Sequence, residues 1–298
     1  MRITISGGTG LIGRRLLKNL AGEGHTLHVL SRHAGANMPN NVRLSVWNAT
    51  KGDPPADSLQ DTDAFIHLAG EPVAQRWNAD VKQKIRDSRV AGTRNLVGAM
   101  AKLDRKPQVL VCASAVGYYG SRGDETLDES SPPGNDFLAE LCQAWEKEAL
   151  AAEALGVRVA MIRTGIVLDA RGGALAKMLP PFKLGLGGPI AGGKHWMSWI
   201  HIHDLVSMYQ FALTQPVRGA LNGTAPSPER NADFSKALGA ALHRPTFLPT
   251  PKFALGAMLG EMADVVLASQ RVLPKAAEAA GFRFRFPQLQ PALVDLFK

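Results

Sequence analysis

The run Ser6-Gly-Gly-Thr-Gly-Leu-Ile-Gly13 concentrates glycines where chemistry could need them. Gly8, Gly10 and Gly13 fit the spacing G-x-G-x-x-G, and Gly7, Gly10 and Gly13 fit the looser G-x-x-G-x-x-G. A short strand-like stretch, residues 2–6, precedes the run. A stretch with helical spacing follows it over 11–21, where Leu16, Leu17 and Leu20 share a face. Strand, glycine turn and helix in that order make a cradle for phosphate. The tight turn needs positive φ, and the backbone must approach a pyrophosphate with no Cβ in between. The helix N-terminus then offers unpaired N–H groups and a partial positive charge. The expected ligand is a dinucleotide, held at Gly7, Thr9, Gly10, Leu11, Ile12 and Gly13.

Which dinucleotide is read from the end of the next strand-like stretch, residues 26–31. A carboxylate there would accept from a ribose hydroxyl; the sequence instead runs Ser31-Arg32-His33. An acid would repel a 2′-phosphate, whereas an arginine can grip it bidentately. Ser31 and Arg32 therefore point to NADP as the cofactor.

Other chemistry-bearing groups read differently. His201-Ile-His203-Asp204 lacks a third nearby ligand for a metal, and Asp204 is expected to cap a helix over 203–213. The loop from Gly185 to Gly193, with Lys183, Lys194, His195 and Trp196, could close over an anionic substrate. Phe282-Arg-Phe-Arg-Phe286 alternates as a half-buried strand does, phenylalanines inward. The two cysteines, Cys112 and Cys142, suit a reducing compartment rather than a disulfide scaffold. The net charge of +8 is scattered, with no Lys/Arg tract, which argues against nucleic acid as the partner. No targeting signal and no membrane-length apolar stretch is apparent, so a cytoplasmic (or matrix-like) location is expected.

The elements that must position these residues alternate. Strands are expected at 2–6, 26–31, 42–46, 64–68, 108–113 and 157–163. Helices are expected at 11–21, 78–103 and 137–154. Such alternation predicts an α/β fold, a Rossmann-type doubly wound parallel sheet covered on both faces. After Arg163 the texture becomes rich in Gly and Pro, with a short helix near 174–179. The chain is therefore divided into a nucleotide-binding domain, 1–163, and a smaller C-terminal lobe, 164–298, partly woven back into the first.

With these motifs in order, the chain resembles the extended short-chain dehydrogenase/reductases, the sugar-nucleotide epimerase and dehydratase group. The matching pieces are Gly7 to Gly13, His67-Leu-Ala-Gly70, Gly92-Thr93-x-Asn95-Leu96, Ser114 to Gly120, Ile162-Arg163-Thr-Gly165 and Trp199-Ile-His-Ile-His-Asp204. His67 to Pro72, Arg76-Trp77, Leu179 to Pro189 and Ala279-Ala-Gly-Phe282 narrow it to an atypical branch described as nucleoside-diphosphate-sugar epimerases. The resemblance implies that Leu68, Ala69, Gly70, Arg89 and Arg163 join the NADP site. It also implies a Tyr-x-x-x-Lys pair on the helix beginning near Phe137, where the lysine would lower the tyrosine pKa for proton transfer. Aligning that helix on Glu146 puts Leu138 and Cys142 at those two places, so both groups are missing. The catalytic serine falls at Ser114 or Ala115, and Ser114 is taken. Tyr118 and Tyr119 are the substitute acids, and Glu71, just past the fourth strand, is read first as a cap or salt-bridge partner. The expectation is an NADP-dependent oxidoreductase or isomerase of epimerase type acting on a small, anionic or sugar-nucleotide substrate. The alternative is an NADP(H)-binding regulator with little turnover. Oligomeric state stays open, a homodimer among the options.

Overall fold

The computed structural model describes residues 1–35, 38–39 and 41–298. The first half holds β1 (Arg2–Ser6), α1 (Leu11–Gly22), β2 (Thr26–Ser31), β3 (Val42–Val46), β4 (Ala64–His67), α2 (Ala79–Ala101), β5 (Val109–Ala115), β6 (Thr126–Leu127), α3 (Phe137–Leu150) and β7 (Arg158–Thr164). The second holds β8 (Ile166–Leu168), α4 (Gly173–Lys183), β9 (Trp196–Met197), β10 (Trp199–His201), α5 (Ile202–Thr214), β11 (Gly219–Gly223), β12 (Glu229–Arg230), α6 (Asn231–Leu242), α7 (Lys252–Leu259), α8 (Met262–Leu267), β13 (Arg271–Val272), α9 (Lys275–Ala279) and α10 (Leu289–Leu296).

Side-chain caps set the helix starts that flank the site. Asn78 accepts from the N–H of Val81 to open α2, and Asp136 accepts from Ala139 to open α3. Past Leu150 the expected long helix tightens into a 3₁₀ stretch, Ala151–Leu155, and stops at Gly156 with φ +79°. α4 outruns its expected end, carrying Pro180 and Pro181 within its C-terminal half.

Seven strands form one sheet in the order β11-β7-β5-β4-β1-β2-β3, every pair parallel. The order reverses between β1 and β4, so the sheet opens a crevice beyond their C-terminal ends. Each face is covered. On one side Ile3 and Ile5 of β1 pack with Leu16, Leu17 and Leu20 of α1 and with Leu205, Met208 and Tyr209 of α5. On the other, Leu110 and Met161 pack with Leu96 and Met100 of α2 and Trp145 of α3. Burial on both faces explains why these strands read as near-continuous apolar runs. This is the Rossmann-type architecture.

The chain after β7 builds a second core from Leu168, Leu175, Trp199, Phe234, Leu238 and Leu293. It also returns to the main body: β11 extends the sheet beside β7, from Gly219 opposite Ala160 to Gly223 opposite Thr164.

Two expectations are corrected by one contact. Asp204 does not cap its helix; His201 does, its Nδ1 accepting from the N–H of His203 at 3.1 Å. The Asp204 carboxylate instead accepts from the backbone N–H groups of Arg285 and Phe286, each at 2.9 Å. Residues 282–286 are thus not a ladder-paired strand. Their alternation is still real, Phe282 and Phe286 buried and Arg283 and Arg285 exposed.

Candidate functional site

The glycine turn lies at the end of β1, on the crevice. Gly7 has φ +71°, and a Cβ there would stand 2.7 Å from the carbonyl carbon of Leu68. A Cβ on Gly13 would stand 2.5 Å from the Gly7 oxygen, so Gly13 lets α1 lie against the turn. Gly10 is exposed and its added Cβ would meet only the Gly7 oxygen, at 3.3 Å. Gly8 is buried too, an added Cβ meeting Val29 Cγ1 at 3.0 Å, so Gly7, Gly8 and Gly13 serve internal packing and Gly10 faces the groove. Gly10 is also the N-cap of α1, with no side-chain cap and no acid in the first turn. The N–H groups of Leu11, Ile12 and Gly13 start the helix, where no intrahelical acceptor exists. Thr9, Leu11 and Ile12 are half-buried beside them. This arrangement fits a pyrophosphate.

At the tip of β2, Ser31 is buried and its Oγ accepts from the His33 N–H at 3.2 Å. Arg32 projects outward with 60 % of its side chain exposed and pairs with Glu71 Oε2 at 3.1 Å. At the tip of β4, the Leu68 N–H donates to the Ser6 carbonyl at 3.1 Å, and Ser6 Oγ lies 2.6 Å from His67 Nδ1. Burial, with Arg89 nearby, pulls the His67 pKa down to about 4. Half-buried Ala69 follows, with its N–H 3.4 Å from Ser6 Oγ. Gly70 leaves room for Arg89, whose guanidinium carbon would stand 3.0 Å from a Cβ there. Arg89 donates to the Glu71 carbonyl at 3.0 Å and lies 5.2 Å from the Trp145 ring centroid. Burial lowers its pKa from the usual arginine value. Arg89 therefore shapes the loop after β4 from below.

The face of α3 carrying Leu138, Cys142 and Glu146 does turn toward the end of β5. Leu138 packs on Gly117, and Cys142 Sγ lies 3.7 Å from the Ala115 carbonyl. Burial, with Glu146 nearby, pushes the Cys142 thiol up to about 12, which removes it as a nucleophile at neutral pH. Glu146 pairs with Arg163 through two 2.8 Å bonds, from Nε to Oε1 and from Nη2 to Oε2, and the two side chains are only 7% and 6% exposed. Ser114 is buried and donates to Glu146 Oε1 at 2.6 Å. Its hydroxyl thus faces the ion pair, while Ala115 holds the other face of the strand, half-buried. Arg163 Nη1 donates to the Tyr119 hydroxyl at 3.0 Å, which itself donates to Asn222 Oδ1 at 2.7 Å. Burial pushes the Tyr119 pKa up to about 12 against the pull of Arg163. Tyr118 is placed differently: half-buried, its ring centroid is 3.4 Å from the Arg163 guanidinium carbon, and its hydroxyl makes no hydrogen bond among the described residues.

Of the expected catalytic set, Ser114 and Tyr119 are thus held inside a buried network, together with Arg163, and Tyr118 alone keeps an open hydroxyl. Asn222 and Glu129 complete that network, Glu129 accepting from the Asn222 N–H at 2.8 Å and the Ala276 N–H at 3.1 Å. Neither carries a local sequence signal, because both act through pairings between distant segments.

The chain after β7 also packs on the starts of α2 and α3. Met262 and Val265 of α8 pack with Trp77, Phe137 and Leu138, and Glu261 pairs with Lys82 of α2. The loop from Gly185 to Gly193 is not a free flap: a Cβ on Gly188 or Gly193 would run into Leu248 or Ala232, and the Lys183 carbonyl accepts from Arg244 at 2.9 Å. The side chains of Lys183 and Lys194 are exposed. Among the described residues no group of three or more His, Cys, Asp or Glu side chains could hold a metal ion.

Residues 3–224 match the NAD dependent epimerase/dehydratase family, and residues 250–296 match a domain of unknown function, DUF1731. The chain is 42% identical over 306 residues to the chloroplastic "Epimerase family protein SDR39U1 homolog" of Arabidopsis thaliana, covering 98% of this chain and 86% of that protein. It is 38% identical over 298 residues to the Bacillus subtilis epimerase family protein YfhF, covering 99% of this chain and 98% of that protein. Human epimerase family protein SDR39U1 (isoform 2), solved with NADPH, superposes with a TM-score of 0.88 at 36% identity over 100% of this chain and 99% of the human one. The Corynebacterium glutamicum nucleoside-diphosphate sugar epimerase superposes with a TM-score of 0.80 at 36% identity, over 100% of this chain and 58% of that one.

Proposed function

Because the chain belongs to the NAD dependent epimerase/dehydratase family, we propose that its crevice binds NADP(H) and serves an oxidoreduction or epimerisation of a small, anionic substrate such as a sugar nucleotide. The observation that carries the reading is Arg32: an exposed guanidinium at the tip of β2, beside an uncapped glycine turn, where an NAD site would offer a carboxylate. The NADPH in the human relative's structure supports the same choice.

The bound nicotinamide would supply hydride transfer. Gly10 and the first turn of α1 hold the pyrophosphate, Arg32 and Ser31 the 2′-phosphate, and Leu68, Ala69 and Gly70 the ribose side. Tyr118 would give or take the proton at the substrate oxygen, its ring held in place by stacking on the Arg163 guanidinium. Both cysteines are buried and unpaired, which fits a reducing compartment such as the cytoplasm, and among the described residues no helix is long and apolar enough to cross a membrane.

A second reading has its own support: Leu138 and Cys142 stand where the proton-transfer pair belongs, and Ser114 and Tyr119 are committed internally. It makes the chain an NADP(H)-binding regulator without turnover. Absorbance at the NADPH band, with NMR analysis of the products for epimerisations that return the hydride to the substrate, separates the two during incubation with carbonyl and sugar-nucleotide panels. The enzyme reading expects turnover with at least one compound that falls at least about tenfold in Tyr118→Phe, the lower range for a general acid. Absence of any turnover by protein that binds NADPH favours the regulator.

A further inference from the structure

The geometry points to Glu71 as a residue that narrows coenzyme discrimination by competing with the nucleotide for Arg32. Resting on the NADP(H) reading above, this deepens it. Arg32 follows β2 and Glu71 lies just past β4, and the sheet order β4-β1-β2 puts β1 between them. Two strand spacings amount to about 10 Å. The 3.1 Å Arg32–Glu71 bridge therefore spans the tip of β1, over the glycine turn and the crevice in which the adenosine half of a dinucleotide would lie.

The two partners are not equally free. The backbone of Glu71 is fixed on both sides: its N–H donates to Ser88 Oγ at 2.9 Å, and its carbonyl accepts from Arg89 Nη1 at 3.0 Å. Its side chain is 27% exposed, against 60% for Arg32. Arg32 is thus the arm that swings and Glu71 the post to which it is tied in the free protein. A 2′-phosphate takes Arg32 only by displacing that carboxylate, and the displaced carboxylate then stands near the phosphate as a like charge. A 2′-hydroxyl makes no such demand. Glu71 accordingly lowers affinity for NADP(H) while leaving NAD(H) little changed, and so narrows a preference that Arg32 creates.

The test is calorimetric titration of NADPH and NADH into wild type, Glu71→Gln, Arg32→Gln and the double variant, with circular dichroism confirming the fold. Glu71→Gln keeps size and removes charge. Releasing an exposed ion pair corresponds to about two- to fivefold in a binding constant. The expected result is NADPH binding about two- to fivefold tighter in Glu71→Gln, NADH unchanged, and a smaller gain from the same substitution once Arg32 is Gln, where only the like-charge repulsion is left to relieve. NADPH binding unchanged or weaker in Glu71→Gln, while Arg32→Gln alone abolishes the preference, overturns the role of Glu71 and leaves the NADP(H) reading standing. Equal tightening in both backgrounds overturns the competition for Arg32. A preference that survives Arg32→Gln overturns the Arg32 reading and this inference with it.

Discussion

Glu146→Gln separates architecture from chemistry in the network behind the crevice. The Glu146 and Arg163 side chains are 7% and 6% exposed and joined by two 2.8 Å bonds, so neither charge is hydrated. Glutamine preserves the shape and one acceptor, but it turns N–H donors toward Arg163 Nη2 and leaves a buried cation without its counter-ion. Removing one partner of a buried pair costs about 3–5 kcal/mol. At about 2–4 °C per kcal/mol for a chain of this size class, the melting temperature falls by roughly 6–20 °C. Ser114 keeps an acceptor in this variant, so its bond is not the cause. Removing the second charge as well, as in Glu146→Gln with Arg163→Met, takes away the stranded ion, keeps an acceptor for Ser114 and restores part of the loss. Urea unfolding followed by tryptophan fluorescence reads both variants, Trp145 being adjacent to the pair. A single substitution costing under about 1 kcal/mol, the size of a surface pair, or a double variant no better than the single, would refute the reasoning.

Gly13→Ala brings a Cβ to 2.5 Å from the Gly7 oxygen, so α1 must back away from the turn. NADPH affinity falls at least about tenfold, the loss of one good phosphate hydrogen bond, in protein that circular dichroism shows folded. His67, with its pKa near 4 when folded against 6.5 when free, binds its proton more readily in the unfolded chain. Its contribution is therefore complete above pH 6.5 and is lost as pH falls toward 4, to a total of about 3 kcal/mol. His201, also held near 4 chiefly by burial, adds a loss in the same direction. Unfolding free energies at pH 7 and pH 4.5 should differ less in His67→Gln than in wild type; an unchanged difference contradicts the assignment.

Much of the architecture was legible because burial on both faces of a parallel sheet writes itself into local sequence. Ile3, Ile5, Val109 and Val111 read as strands for that reason, and α1 shows its face through Leu16, Leu17 and Leu20. The glycine turn was legible because its constraint is steric and local. The spacing fit both Gly7 and Gly8 as the first glycine; only φ +71° at Gly7 distinguished them. What was not legible depends on partners far away in the chain. Asp204 looks like a helix cap until residues 285 and 286 arrive to take its oxygens. Ser114 looks available until α3 and β7 present Glu146 and Arg163 to it. The Gly185–Gly193 loop looks like a flap until Leu248 and Ala232 press on its backbone. Strand periodicity also overreached at 282–286, where alternate burial occurs without a neighbouring strand.

The most direct test of the account is a paired calorimetric titration of nucleotide-free wild-type protein with NADPH and NADH at low salt. The uncapped glycine turn and the exposed Arg32 predict one site per chain, with NADPH bound at least about tenfold tighter, as expected for a charge-assisted arginine–phosphate bond of about 1.5–3 kcal/mol. Equal affinity for the two, or binding of neither by folded protein, would contradict it.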